Sequence, residues 1–275
     1  MRHRQNISGL LPESDAIDDF IPSAFIMSRT FLVIALVASG ALLLLFVGCS
    51  SIERKLLFFP SHRPGNNGLT PWTQNGKIIG FARTIAAPKN VWLMLHGNGG
   101  QAADRTYALP HFSPTDAVFI LEYPGYGARE GTPSKDAFNL AAKSAYLALR
   151  ATYPQIPVCV VSESIGTGPA CSLASLAPPP DKFVLIVPFD RLDSVAKDHF
   201  PGLLVGLLLQ DNWDNVAALS NYKGPVDIFG AAADTVIPVA HARALAAAVP
   251  SAKLTIIEGG HNEWSQSGRV RIANP

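Results

Sequence analysis

The sequence predicts an α/β fold: a mostly parallel sheet with helices on both faces. Two observations carry this. Short continuous apolar runs recur along the chain, as strands buried on both sides do. Segments with helical spacing lie between them, and alternation of that kind requires crossovers that place helices over the sheet. Composition agrees. Of 275 residues, 48% are hydrophobic and 16% charged, against a usual ~25% charged. Lys and Arg number 22, Asp and Glu 21, so the net charge is +1. That near-balance gives no support to a nucleic-acid partner. Hydrophobicity this high argues against disorder. The 3 cysteines are too few for a disulfide scaffold.

The first 49 residues stand apart. Residues 31–47 read FLVIALVASGALLLLFV, preceded by Arg29 and followed by Gly48-Cys49-Ser50-Ser51. A basic start, an apolar run and a small-residue end describe an export signal. The run ending Val47-Gly48-Cys49 resembles a bacterial lipobox, with Phe46 where that motif prefers Leu. The resemblance implies cleavage before Cys49 and lipidation of its thiol. The alternative is an uncleaved N-terminal membrane helix, at the lower edge of the ~17–25 residues needed to span. Either reading tethers the chain to a membrane on its extracytoplasmic side. Residues 1–26 carry Asp15, Asp18 and Asp19, which do not suit the head of an export signal. Translation is therefore expected to start at Met27, leaving residues 1–26 as a mis-assigned extension. From Cys49 onward 227 residues remain, enough for one domain with a sizeable core.

Residues 50–75 read as a stalk and apolar linker, and the domain is expected over 76–275. Strands are expected at 91–95, 117–121, 157–161, 183–187, 226–229 and 253–257. Helices are expected at 135–150, where Ala137, Leu140, Ala141, Ala145 and Leu149 share one face, and at 164–176 and 241–249. The stretch 191–223 is too long for a connection between sheet strands and reads as a helical lid insertion.

The chemistry centres on Ser162-Glu-Ser164-Ile-Gly166. An apolar strand runs into a turn and a helix with Ser164 at the tip, where the cramped turn needs small residues on either side. Ser162 stands where a glycine is usual. Ser164 and Ser162 could instead be helix-capping serines. A serine nucleophile needs a base. His261 follows the last strand and Asp234 follows the one before it, so both fall on the sheet edge that holds Ser164. Asp190, one strand earlier, is the rival acid. The glycine loop His96-Gly-Asn98-Gly-Gly follows the strand expected beside the nucleophile. Backbone N–H groups of Asn98 and Ile165 are the expected oxyanion donors. His96 is expected to hold that loop. Cys159 and Cys171 read as buried small hydrophobes. No metal or other cofactor is expected.

Together, HGNGG, EYPGYG, SESIGTGPA, PFD, D-x-x-[IV]-P and GGHNE, spread over residues 56–264, resemble the alpha/beta-hydrolase superfamily. A Lys-Leu-x-x-x-Pro stretch at Lys55–Pro60 is similar to its membrane-associated branch of depalmitoylating hydrolases and bacterial lipoprotein relatives. The resemblance implies the alpha/beta-hydrolase fold, Ser164, Asp234 and His261 as a triad, and hydrolysis of a small-molecule or acylated ester or thioester through an acyl-enzyme. A peptidase of the same fold and a silent membrane-tethered binding protein are the rival readings. Oligomeric state and substrate identity stay open.

Overall fold

Six of the apolar runs become parallel neighbours in an eight-stranded sheet: β1 (Thr70–Gln74), β2 (Lys77–Arg83), β3 (Val91–Leu95), β4 (Ala117–Leu121), β5 (Val158–Glu163), β6 (Phe183–Ile186), β7 (Val226–Ala231) and β8 (Ala252–Ile257). The order is β1-β2-β4-β3-β5-β6-β7-β8. β1 pairs with β2, and β2 with β4, antiparallel at one side of the sheet, and the remaining pairs from β4 to β8 are parallel. Every residue of β3, β4, β5 and β6 is buried, as strands covered on both faces require. This computed structural model describes residues 53–64 and 68–274, with Leu32 and Ser39. Residues 49–275 form one compact unit and residues 1–48 another. The expected extension at 1–26, the signal or anchor at 27–49 and the lipidation site Cys49 lie outside the described residues.

The described helices are α1 (Lys135–Thr152), α2 (Thr167–Ser172), α3 (Leu192–His199), α4 (Gly202–Leu208), α5 (Asn215–Leu219) and α6 (Val239–Ala248). Strand order explains where they sit. From β3 the chain steps back once, to β4, and thereafter moves forward across the sheet. Right-handed crossovers then put the β3–β4 connection on one face and all later ones on the other. Phe138, Ala142 and Leu149 of α1 and Ala242 and Leu245 of α6 accordingly join one core cluster. The 3-10 segment Ala102–His111 and the C-terminal residues Val270 and Ile272 cover the other face.

Two boundaries differ from the sequence reading. The 50–75 stretch is not a stalk throughout. Residues 53–57 are helical and β1 pairs with β2 across Asn75-Gly76, while Phe58, in the apolar segment read as packing on the domain, is buried in the core. Asn75 and Gly76 both have positive φ, 51° and 75°, the geometry of a two-residue hairpin turn. That Asn-Gly pair was the available signal for the hairpin. The expected helix at 164–176 is three short pieces, 3-10 at Ser164–Gly166, then α2, then 3-10 at Leu173–Ser175.

Candidate active site

Ser164 sits at the end of β5 with φ +53°, a conformation that costs a non-glycine residue on the order of 1–3 kcal/mol. The surroundings enforce it. A Cβ on Gly166 would lie 2.4 Å from the Leu95 carbonyl oxygen and 2.6 Å from that of His96. β3 thus packs directly on the turn, and only glycine fits there. Ser162 is fully buried opposite Leu95 and Leu185. Its small side chain fits the strand, so the departure from glycine leaves the turn intact. Gly168 meets Trp213, whose ring would be 2.5 Å from an added Cβ. Trp213 therefore packs on the helix after Ser164, so the 191–223 insertion is held to the domain at that point.

His261 lies in the loop after β8 and Asp234 in the loop after β7. His261 Nε2 is 2.9 Å from Ser164 Oγ, and its Nδ1 is 2.7 Å from Asp234 Oδ2. The other Asp234 oxygen accepts the Val236 and Ile237 backbone N–H groups at 2.9 and 2.8 Å. Those bonds fix the carboxylate, and the carboxylate fixes the ring. With Nδ1–H donating to Asp234, Nε2 is free to accept the serine proton. The rival acid Asp190 has another partner: His241 Nδ1, at 2.7 Å.

The glycine loop faces Ser164. His96 is fully buried. Its ring lies 4.5 Å from that of Tyr123, and its Nδ1 is 2.8 Å from the Gly97 carbonyl. The Asn98 backbone N–H has no acceptor among the described residues, while its side chain clasps the entering chain. Asn98 Oδ1 accepts from Phe59 N–H and Tyr126 Oη–H, and Nδ2 donates to the Leu57 carbonyl. Asn98 and Ile165 line one cavity with Ser164 and His261.

One residue in this region escaped the sequence reading. Glu163, next to Ser164, is buried and collects four partners from three parts of the chain. It accepts from the Gly97 N–H at 2.8 Å, Tyr107 Oη–H at 2.9 Å and Trp264 Nε1–H at 2.8 Å. Arg105 Nη1 lies 3.3 Å away. Arg105 also donates to the Gly97 and Gly99 carbonyls. Burial disfavours the charged guanidinium, but Glu163 and Tyr107 beside it together outweigh this and raise the Arg105 pKa. Desolvation and the Glu163 charge push the Tyr107 hydroxyl well above its ordinary value, so it stays a donor. Glu163 thus ties the glycine loop to the nucleophile turn. Glu163→Gln keeps the shape but leaves Arg105 without its buried counter-charge. It is expected to lower kcat roughly 10–100-fold, with KM little changed, because the loop donor shifts relative to the reacting carbonyl. Steady-state kinetics on a soluble ester checks this.

The 191–223 insertion has its own anchor. His241 on α6 bridges Asp190 and, through Nε2 at 2.8 Å, Asp198 on α3. Burial opposes protonation of this ring, but its hydrogen bonds to Asp198 and Asp190 raise the pKa above 6.5 overall. Sequence offered no signal for it, since the three residues meet only in space. Both thiols are buried. Burial pushes Cys159 up to about 12 and Cys171 higher, which keeps them protonated and inert.

No family model matches the chain. An uncharacterized protein of Mycobacterium tuberculosis is 28% identical over 258 residues, spanning 87% of this chain and 90% of that protein. Human alpha/beta hydrolase domain-containing protein 17B is 29% identical over 196 residues, 69% of this chain and 66% of that protein. Among solved structures, an esterase of Pyrococcus furiosus superposes with a TM-score of 0.57 at 15% identity, over 76% of this chain and 95% of that one. Strand order and the solved structures it superposes on show that the chain has the alpha/beta-hydrolase fold, with a serine at the strand-to-helix turn.

Proposed function

We propose that this chain is a serine hydrolase that cleaves carboxylic esters or thioesters through an acyl-enzyme, tethered to a membrane on its extracytoplasmic side. The observation that carries the chemistry is the continuous relay Asp234–His261–Ser164, with bonds of 2.7 and 2.9 Å. His261 takes the Ser164 proton as Oγ attacks the carbonyl carbon. Asp234 holds the ring and stabilises the imidazolium. The oxyanion develops against the backbone N–H groups of Asn98 and Ile165, each worth about 2.7–4 kcal/mol of transition-state stabilisation. His261 then protonates the leaving alcohol or thiol, and water activated by the same ring releases the acid.

The cavity supports an acyl substrate. It measures about 970 Å³, at the upper end of ordinary ligand pockets. Val187, Phe189, Leu192, Val195, Leu209 and Ile237 line it. A peptide held by its N-terminal amine would need a free carboxylate. Among the described residues the one acidic lining residue is Glu163, and its partners already engage it.

A fluorophosphonate probe tests the reading. Wild type should label and Ser164→Ala should not, and p-nitrophenyl esters should be turned over with a preference for longer acyl chains over acetate. Absence of labelling on wild type, or equal labelling of the two proteins, refutes the serine-hydrolase assignment.

A further inference from the structure

The cavity is apolar outside its mouth as well as inside. α4, GLLVGLL, has no charged or polar side chain. Val205 is its one buried residue, while Leu203 is 78% and Leu207 65% exposed. An ordinary surface helix turns polar residues outward. Phe200 and Leu209, which flank α4, both line the cavity, so the exposed leucines lie on the segment between two of its lining residues. Leu56, Phe59 and Val236 also line the cavity and are about half exposed. These are not scattered single residues; they ring one opening.

The chain itself indicates what covers this face. The Glu53 carboxylate accepts the Gln210 and Asp211 backbone N–H groups, both at 2.7 Å. The chain therefore enters the domain against the C-terminal end of α4. The four residues from Cys49 to Glu53 reach at most about 14 Å. With lipid on Cys49 as the tether, membrane attachment lies within that distance of Glu53, which sits against the residues just after α4.

We propose that α4 and the rim residues Leu56, Phe59, Phe200 and Val236 dock into the lipid bilayer that tethers the chain, so that the cavity opens onto the membrane and receives its acyl substrate from it. The consequence for turnover rests on the serine-hydrolase reading; the docking itself does not. Because the patch is uncharged, binding should resist added salt.

The test uses the full-length protein with phosphatidylcholine vesicles and the double variant Leu203→Asp/Leu207→Asp. Both positions are highly exposed and neither lines the cavity. Expected is turnover of p-nitrophenyl butyrate within about twofold of wild type, and turnover of a long-chain acyl ester embedded in the vesicles lowered at least about tenfold, because aspartate resists burial in lipid. Equal loss on both substrates, or loss on neither, overturns the proposal. So does conversion of a dimer to a monomer by the variant, which would make a second copy the occupant. A second readout needs no catalysis. An environment-sensitive fluorophore on Leu203→Cys should shift to the blue when vesicles are added. An unshifted spectrum refutes docking. A blue shift alongside an inactive wild type would retain docking and refute the hydrolase reading instead.

Discussion

Ser164→Ala is expected to lower kcat on acyl esters by at least about 10⁴-fold while leaving the fold unchanged. The side chain sits at the tip of the turn and contributes little packing, so thermal unfolding should match wild type. The residual rate reports what the oxyanion donors and the cavity achieve with water as nucleophile. In the proposed mechanism Ser164 and His261 act as one unit across their 2.9 Å contact, so adding His261→Ala to Ser164→Ala should cost almost nothing further. Additive losses in the double variant would show that the two residues work separately and would break the relay.

Asp234→Asn should cost about 10⁴-fold in kcat, because an amide can hold the imidazole in the wrong tautomer. Asp190→Asn should cost less than about tenfold, since Asp190 touches His241 and not the catalytic ring. Its signature should be in stability. The His241 pKa is raised in the folded protein, so the anchor of the insertion contributes fully below about pH 6.5, the ordinary histidine value. That contribution is lost as pH rises through the folded value. The Tm difference between Asp190→Asn and wild type should therefore be largest at acidic pH and narrow in alkali. Thermal melts across pH, with ester kinetics alongside, check both halves. A kcat collapse in Asp190→Asn with Asp234→Asn spared would reverse the assignment of the acid.

The parallel strands were legible because burial on both faces writes itself as short apolar runs such as VWLML and AVFIL. The edge hairpin was not, because β1 and β2 are only partly buried and read like a polar linker; Asn75-Gly76 was the signal passed over. The linker's role was hidden for a related reason. Glu53 finds its partners at Gln210 and Asp211, more than 150 residues away, and no local pattern encodes such a pairing.

By itself, then, the sequence determined the sheet, the turn that carries Ser164, and the strand ends from which Asp234 and His261 arise. Those follow from periodicity and from the rule that parallel strands present their carboxyl ends on one edge. Only the tertiary structure decided which acid meets which histidine, Asp234 with His261 and Asp190 with His241. It alone gathered Gly97, Arg105, Tyr107 and Trp264 around Glu163. The physical reason is range. Propensity and periodicity act over a few neighbours, whereas a buried carboxylate is satisfied by whichever donors the packed chain brings within 3 Å.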